Sequence, residues 1–457
     1  MLGTVKPALA VSIPSPATTD YSQPVTPLHA SFVHDQPLPV HILSTRKKHW
    51  ILFLAGMAAL FGPLSSTIYV PAQLDIATNL GTTLGMVNLT ISLFILFYGI
   101  APMVWAPLSE RLGRRPIYIA SLVMYVVTSI GCALSNRIGI LLPMRILQAC
   151  SSSSASAVGA GSVSDIFPIH ERGRKMGYFL LGPLIGPIIG PMVGGALNQY
   201  CGWHSIFWFL AGLGGAILLL NIFTMPETLY PEARQKTGRF NPIKPLVYFR
   251  FPAVTLIMLY PGLAFGFMYL LITILPRTFI NQYAFSTSQV GLSYIASGLG
   301  NVLGTVISGR YLDYLIARAK AQSKKPAAEV RLIALWPSAV LTPLGFLMYG
   351  WFIERNFHWS LPLFGSFIMS IGLMVSSTVV SVYLVDAFTA HSASVVSLAN
   401  FVRAAIAAIT PLFAVQMVDG LGNGWTFTII ALIFLVSSVI PILVYIYGGR
   451  WRPTNKE

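Results

Sequence analysis

Twelve stretches of this chain are apolar for long enough to cross a lipid bilayer, and lipid leaves a backbone few options. A spanning helix needs about 20 apolar residues, because hydrocarbon offers no partner to a free N–H or C=O. Each stretch must therefore satisfy its own backbone as an α-helix. The runs lie near 50–74, 85–107, 116–135, 139–164, 175–198, 204–224, 253–276, 290–312, 332–353, 359–385, 393–418 and 424–447. Only 9% of the 457 residues are charged and 55% are apolar, where a soluble domain carries about 25% charged residues. The fold class that follows is all-α integral membrane, with 12 transmembrane helices. Several loops are very short, so consecutive helices run antiparallel.

Lys and Arg set the orientation. With the N-terminus in the cytoplasm, 24 of the 29 fall on the inner side and only Arg137, Arg277 and Arg355 fall outside. The remaining two, Arg145 and Arg403, lie within spans. Both termini are thus expected inside. The net charge of +15 does not mark a nucleic-acid partner, because the basic residues recur in short groups between apolar runs instead of forming one patch. The three cysteines, Cys132, Cys150 and Cys201, have no disulfide or metal spacing.

Residues 1–45 read as a disordered cytoplasmic tail. The first 44 contain seven prolines and one Lys, and cannot bury enough apolar surface to fold. They lack the form of a signal peptide, so the first span is expected to stay uncleaved. The longest internal linker, 225–252, is basic and carries Pro226, Pro231, Pro242 and Pro245. It separates a six-helix bundle at 46–224 from a second at 253–447, followed by a tail at 448–457. A weak internal echo supports two similar halves: Ala106 precedes Glu110 by four residues after the second span, and Gly309 precedes Asp313 by four after the eighth.

Four segments carry candidate mechanism. The second loop, Glu110-Arg111-Leu112-Gly113-Arg114-Arg115, is a tight turn with one carboxylate among three arginines. Those arginines suit Glu110, helix-end carbonyls or anionic lipid. The plainer reading is a positive loop that fixes topology. The fifth span places Gly182, Gly186, Gly190 and Gly194 every fourth residue, beside Pro183, Pro187 and Pro191. Such a face lets another helix approach closely, and the prolines bend it. The eighth span carries Ala296, Gly300, Gly304 and Ser308 at the same spacing. The two small-residue faces are expected to meet across the interface between the bundles.

Arginine inside a span is expensive and faces a cavity or a partner. Arg145 has Gln148 one turn on, and two readings stand for it. It lines the route and meets an anion, or it bonds helix-end carbonyls and holds the bundle. Arg403 lies about ten residues into its span, too deep to snorkel easily, so a water-filled cavity is its expected setting, with Asn400 one turn away. Asp75, Asp165, Asp313 and Asp386 all sit near helix ends. Two buried arginines without a central carboxylate point to an anionic or electron-rich cargo and weaken proton antiport. Tyr69, Tyr98, Tyr125, Tyr260, Tyr269, Tyr294 and Tyr383 are candidates for an amphipathic pocket, each more often packing or interfacial belt.

The second loop, Arg145-x-x-Gln148 and, above all, Gly177-x8-Gly186-x3-Gly190-Pro191-x2-Gly194-Gly195 resemble motifs of the major facilitator superfamily. They look like those of its twelve-helix drug:proton antiporter subfamily, and the phrasing is similar to fungal members. The resemblance covers about residues 46–450. It implies two pseudo-symmetric six-helix bundles with rocker-switch alternating access. It makes Glu110, Arg111, Gly113, Arg114 and Arg115 the cytoplasmic gating loop. Arg145 would be linked to substrate or proton coupling, and Gly177 to Gly195 would form the exporter motif. Glu110, Ala106 and Ala149 depart from the pattern, which has Asp, Gly and Gly there.

Two functions follow. The first is an efflux pump for a drug, toxin or secondary metabolite, driven by proton antiport. The second is an exporter of small carboxylates such as citrate or itaconate, with Arg145 and Arg403 clamping the anion. Either is expected to act as a monomer at the plasma membrane, with the vacuolar membrane as the alternative. No catalytic cluster, metal spacing or phosphate-binding loop occurs in the spans, so neither an enzyme nor a cofactor is expected.

Overall fold

A Pro, a Gly or a capping hydroxyl marks most of the places where this chain changes direction, and long helices fill the intervals. The computed structural model describes residues 44–229, 244–321, 328–388 and 392–448. Nearly all of the expected N-terminal tail, half of the linker and most of the C-terminal tail lie outside the described residues. The described chain is helical, with no strand among the described residues. Its helices are α1 Thr45–Thr67, α2 Gln73–Asn79, α3 Leu84–Ile100, α4 Pro102–Leu112, α5 Arg114–Ala133, α6 Ile138–Ile166 and α7 Ile169–Cys201. They continue as α8 His204–Thr224, α9 Pro252–Tyr283, α10 Thr287–Ala321, α11 Trp336–Glu354, α12 Ser360–Ala387, α13 Ser392–Ser437 and α14 Val439–Tyr447.

Local chemistry sets the ends. Ser44 and Thr83 accept from the backbone N–H three residues on, capping α1 and α3. Gly113 joins α4 to α5 at φ 105°, and Gly202 joins α7 to α8 at φ 76°, angles that side chains resist. Val127, Phe223 and Val436 are more than half exposed. Large apolar side chains so placed over a whole belt suit hydrocarbon, not water.

Ten stretches are long and apolar enough to cross a membrane among the described residues. The expected count of twelve differs at two places. The fourth run forms the 29-residue α6, which Arg145, Gln148 and a run of serines together make more polar than the other spans. Those serines are buried, and Ser151 and Ser153 donate to the carbonyls of Gln148 and Cys150 at 2.9 and 2.8 Å. The helix thus absorbs its own hydroxyls. The eleventh and twelfth runs form one continuous stretch, Ser394–Tyr447, which turns at Gly422, φ 77° and ψ 170°.

The helices before the linker pack α1 on α6 and α7, α5 on α6 and α8, and α3 on α6. Those after it pack α9 on α13, α10 on α12, and α11 on α12 and α13. Contacts across the linker run chiefly through α7 with α10 and α3 with α13. The fifth and eighth spans therefore do pack together, but not through the faces expected. A Cβ at Gly182 or Gly194 would fall on the carbonyl oxygen of Gly56 or Ile68, both in or just after α1. One at Gly186 would lie 2.9 Å from Leu64 N, and one at Gly190 2.6 Å from Thr67 Oγ1. The α7 glycine face therefore serves α1. The stripe on α10 turns toward α12, where Cβ atoms at Gly300 and Gly304 would meet the carbonyls of Phe367 and Ile371. The α7–α10 contact uses other residues: Gly195 against Thr287, Gly291 against Pro191, and Gly298 against Ile188. A four-residue spacing finds a close-packed face but cannot name the helix that covers it.

Overpacking a close helix contact destabilises by about 1–3 kcal/mol. Gly182→Ala and Gly194→Ala should each lower the thermal midpoint of the detergent-purified protein. Gly212→Ala, where an added Cβ meets nothing within 4 Å, should not. Equal midpoints for all three would show that α1 and α7 re-space freely.

Candidate transport cavity

Between the helices on either side of the linker lies a cavity of about 210 Å³. Pro63, Ser66 and Thr67 of α1, Phe94 and Tyr98 of α3, and Pro183 and Pro187 of α7 form one side. Phe265, Met268 and Tyr269 of α9, Tyr294, Ser297 and Asn301 of α10, and Met374 of α12 form the other. The prolines expected only to bend α7 thus supply part of the wall, on a helix that continues through all three. No Lys, Arg, Asp or Glu lines the cavity among the described residues.

The wall is amphipathic. Tyr98 Oη lies 2.9 Å from Ser156 Oγ, and Tyr294 Oη donates to the Ile272 carbonyl at 2.7 Å. Asn301 is 8% exposed and its Oδ1 has no hydrogen-bond partner. Of the seven candidate tyrosines, Tyr98, Tyr269 and Tyr294 reach the cavity. Tyr125 bonds Ser65 at 2.7 Å, Tyr260 donates to Ser338 at 3.3 Å, and Tyr383 is buried elsewhere. Phe265, Met268, Ser297 and Asn301 escaped the sequence reading, since apolar and small residues in a span carry no signal that separates wall from packing.

Neither intramembrane arginine is among the lining residues, but each lies against a ring that is: Arg145 against Phe94 and Arg403 against Phe265. Arg145 is fully buried. Its Cζ lies 4.1 Å from the Tyr69 ring centroid and 4.2 Å from that of Phe94, a cation–π sandwich. Its guanidinium donates to Gln148 Oε1 at 2.7 Å and to the Ser65 carbonyl at 3.0 Å. Gln148 in turn donates to Ser129 Oγ at 2.8 Å. The pairing with Gln148 is as the spacing suggested, and the backbone bond to α1 matches the bundle-holding alternative. Arg403 donates to Ser377 Oγ at 2.5 Å and to Asn400 Oδ1, and its Cζ lies 4.9 Å from the Phe265 centroid. The cavity lining itself holds neither arginine; Arg145 is fully buried with its Nε left without a partner, and Arg403 is partly exposed.

The second loop is bound into its neighbours. Arg114 donates from Nε to Asp165 Oδ2 at 3.0 Å, from Nη1 to Ser109 Oγ at 2.5 Å, and from its backbone N–H to Glu227 at 2.8 Å. Arg115 donates to the Ile222 carbonyl at 2.8 Å. Glu110 and Arg111 are exposed. Loop, α6 end and α8 end thus form one cluster. Asp165, set aside as too distant for Arg145, is the carboxylate for Arg114. Of the fifth-span motif, Gly186, Gly190 and Gly194 abut α1, Pro191 and Gly195 abut α10, and Gly177 is exposed with no neighbour within 4 Å of an added Cβ.

Comparison with known proteins agrees with this architecture. The family model described as Major Facilitator Superfamily matches residues 54–411. The MFS-type transporter atr4 of Stereocaulon alpinum is 34% identical over 437 residues, covering 89% of this chain and 78% of the relative. The MFS-type transporter penM of Penicillium rubens is 33% identical over 422 residues, covering 86% and 83%. Among solved structures, a POT family transporter in complex with 5-aminolevulinic acid aligns with a TM-score of 0.69 at 14% identity, covering 88% of this chain and 96% of that one. The human organic anion transporter MFSD10 aligns with a TM-score of 0.61 at 19% identity, covering 86% and 99%. These structural likenesses are of fold alone.

Losing the donor that satisfies a buried acceptor costs about 1–3 kcal/mol. Arg145→Lys cannot reproduce two stacked rings and a forked pair of bonds. It should lower the thermal midpoint and transport together. Full stability with lost transport would instead make Arg145 a cargo or coupling group.

Proposed function

The chain belongs to the major facilitator superfamily, and on that premise we propose that it exports a small, largely apolar compound with a few hydrogen-bonding groups, of the drug, toxin or secondary-metabolite kind. The single observation that carries this reading is the cavity wall of rings, methionines and hydroxyls without a charged side chain. Pockets of this make-up bind by apolar contact and use a few polar groups for orientation. It is a membrane transporter and not an enzyme, in keeping with its family and relatives.

Transport proceeds by alternating access. The bundles at 46–224 and 253–447 rock about the α7–α10 and α3–α13 contacts and open the cavity to one face at a time. Proton antiport drives the cycle. Since no carboxylate lines the cavity among the described residues, coupling acts through carboxylates at helix ends: Asp75 against Asn198, Asp165 against Arg114, and Asp386 against Arg331. The protein works as a monomer at the plasma membrane, with the vacuolar membrane as the alternative that fluorescence imaging of the tagged chain separates.

Carboxylate export is the second reading. It requires Arg145 and Arg403 to reach the cargo, and neither is among the residues that line the cavity. Two cargo types and one wall residue give a sharp test. In proteoliposomes with an imposed pH gradient, an apolar fluorescent drug should be transported and citrate should not. Phe265→Ala should weaken apparent affinity for the drug about tenfold, or about 1.4 kcal/mol. Citrate transport by the unsubstituted protein, abolished by Arg403→Lys, would replace the first reading with the second.

A further inference from the structure

Lys175 sits in the second turn of α7 and is 5% exposed. Its Nζ lies 2.7 Å from His49 Nε2 on α1. The other ring nitrogen, His49 Nδ1, is 2.8 Å from the Thr45 carbonyl. A carbonyl can only accept, so Nδ1 carries the ring proton and Nε2 presents a lone pair to the ammonium. The Phe167 and Tyr178 rings lie 5.3 and 5.8 Å from Nζ. Lys175 therefore has a neutral acceptor and two ring faces. Among the described residues no carboxylate pairs with it. A buried cation without an anion is costly, and an ammonium has three donors to place.

The surroundings are mostly basic, with Glu171 one turn before Lys175 as the exception, and lie at a defined depth. Arg46 and Lys47 are exposed on the first turn of α1, and Arg174 is exposed beside Lys175. Trp50 follows one residue after His49, stacks on Phe53 and donates to Thr224 Oγ1 at 2.8 Å. Tryptophan favours the headgroup level of a bilayer. From Lys175 toward the hydrocarbon, α7 exposes Tyr178, Leu181 and Ile185, 53%, 48% and 38% accessible. At three- and four-residue intervals these make one apolar track.

We propose that Lys175, His49 and the flanking Arg46, Lys47 and Arg174 form a binding site for the phosphate of an anionic phospholipid, one acyl chain of which lies along the Tyr178–Ile185 track. The phosphate oxygens accept from the Lys175 ammonium, which gives the buried charge its anion. The apolar track is what selects a lipid over a free phosphate. By the distribution of Lys and Arg this end of α1 and α7 faces the cytoplasm, the leaflet where anionic lipids concentrate.

The full chain, purified in a neutral detergent, is titrated with short-chain phosphatidylserine, short-chain phosphatidylcholine or inorganic phosphate. Thermal midpoint and retained lipid by native mass spectrometry are read together. Phosphatidylserine should raise the midpoint saturably, and the other two should not. Lys175→Met should weaken half-saturation at least about fivefold, while Arg355→Met, at the opposite end of the helices, should leave it unchanged. Should Lys175→Met fail to fold, Arg174→Glu on the exposed flank should give the same weakening. Unaltered titration in the Lys175 or Arg174 variant overturns the site. A midpoint shift reproduced by inorganic phosphate alone overturns its assignment to lipid.

Discussion

Hydrocarbon cannot hydrogen-bond, and every larger feature of this protein follows from that. Backbone groups close on themselves as helices, and side chains with polar atoms must find partners inside. The buried serines of α6 bond the preceding turn. Gln73 reaches from α2 to the Thr273 carbonyl of α9 at 2.7 Å. The guanidinium of Arg145 takes a side-chain amide, a backbone carbonyl and two ring faces, and only its Nε is left without a hydrogen bond. Without a hydrophobic force between helices in lipid, close packing does the holding, which is why glycines meet carbonyls at the α1–α7 and α10–α12 contacts.

Satisfying the arginines in this way shapes the cavity. A cation that stacks on Phe94 or Phe265 lies near the cargo space without entering it. The lining stays free of charged side chains, and its uncommitted polar atoms, such as Asn301 Oδ1, are few. On the function proposed above, those atoms, ring contacts and shape would select the cargo.

Helix positions were legible because a 20-residue apolar run has one structural outcome in lipid, and only α6 and the Gly422 turn complicated the count. Arg145 and Gln148 could be paired from their spacing, because one turn of helix is local geometry. What joins distant segments was not legible. The Gly182–Gly194 face announced a close contact but not that α1 would fill it. Asp165 looked like a helix-end carboxylate until α5 brought Arg114 beside it. The cavity wall was the least visible part, because Phe265 and Met268 look the same in sequence whether they face cargo, lipid or another helix.

The α7–α10 contact has a mechanical consequence. Where Gly195 meets Thr287 and Gly291 meets Pro191, the surfaces are backbone and nearly flat. Farther along, the Ile188 side chain seats against Gly298, so the seam is flat over part of its length and keyed at that point. Near the start of α10, Gln199 of α7 also accepts from the Ser288 N–H at 3.1 Å. In the alternating access proposed above, that seat and that bond would be the catch on an otherwise flat seam, and the tempo of the cycle would belong to them and not to the length of helix that moves.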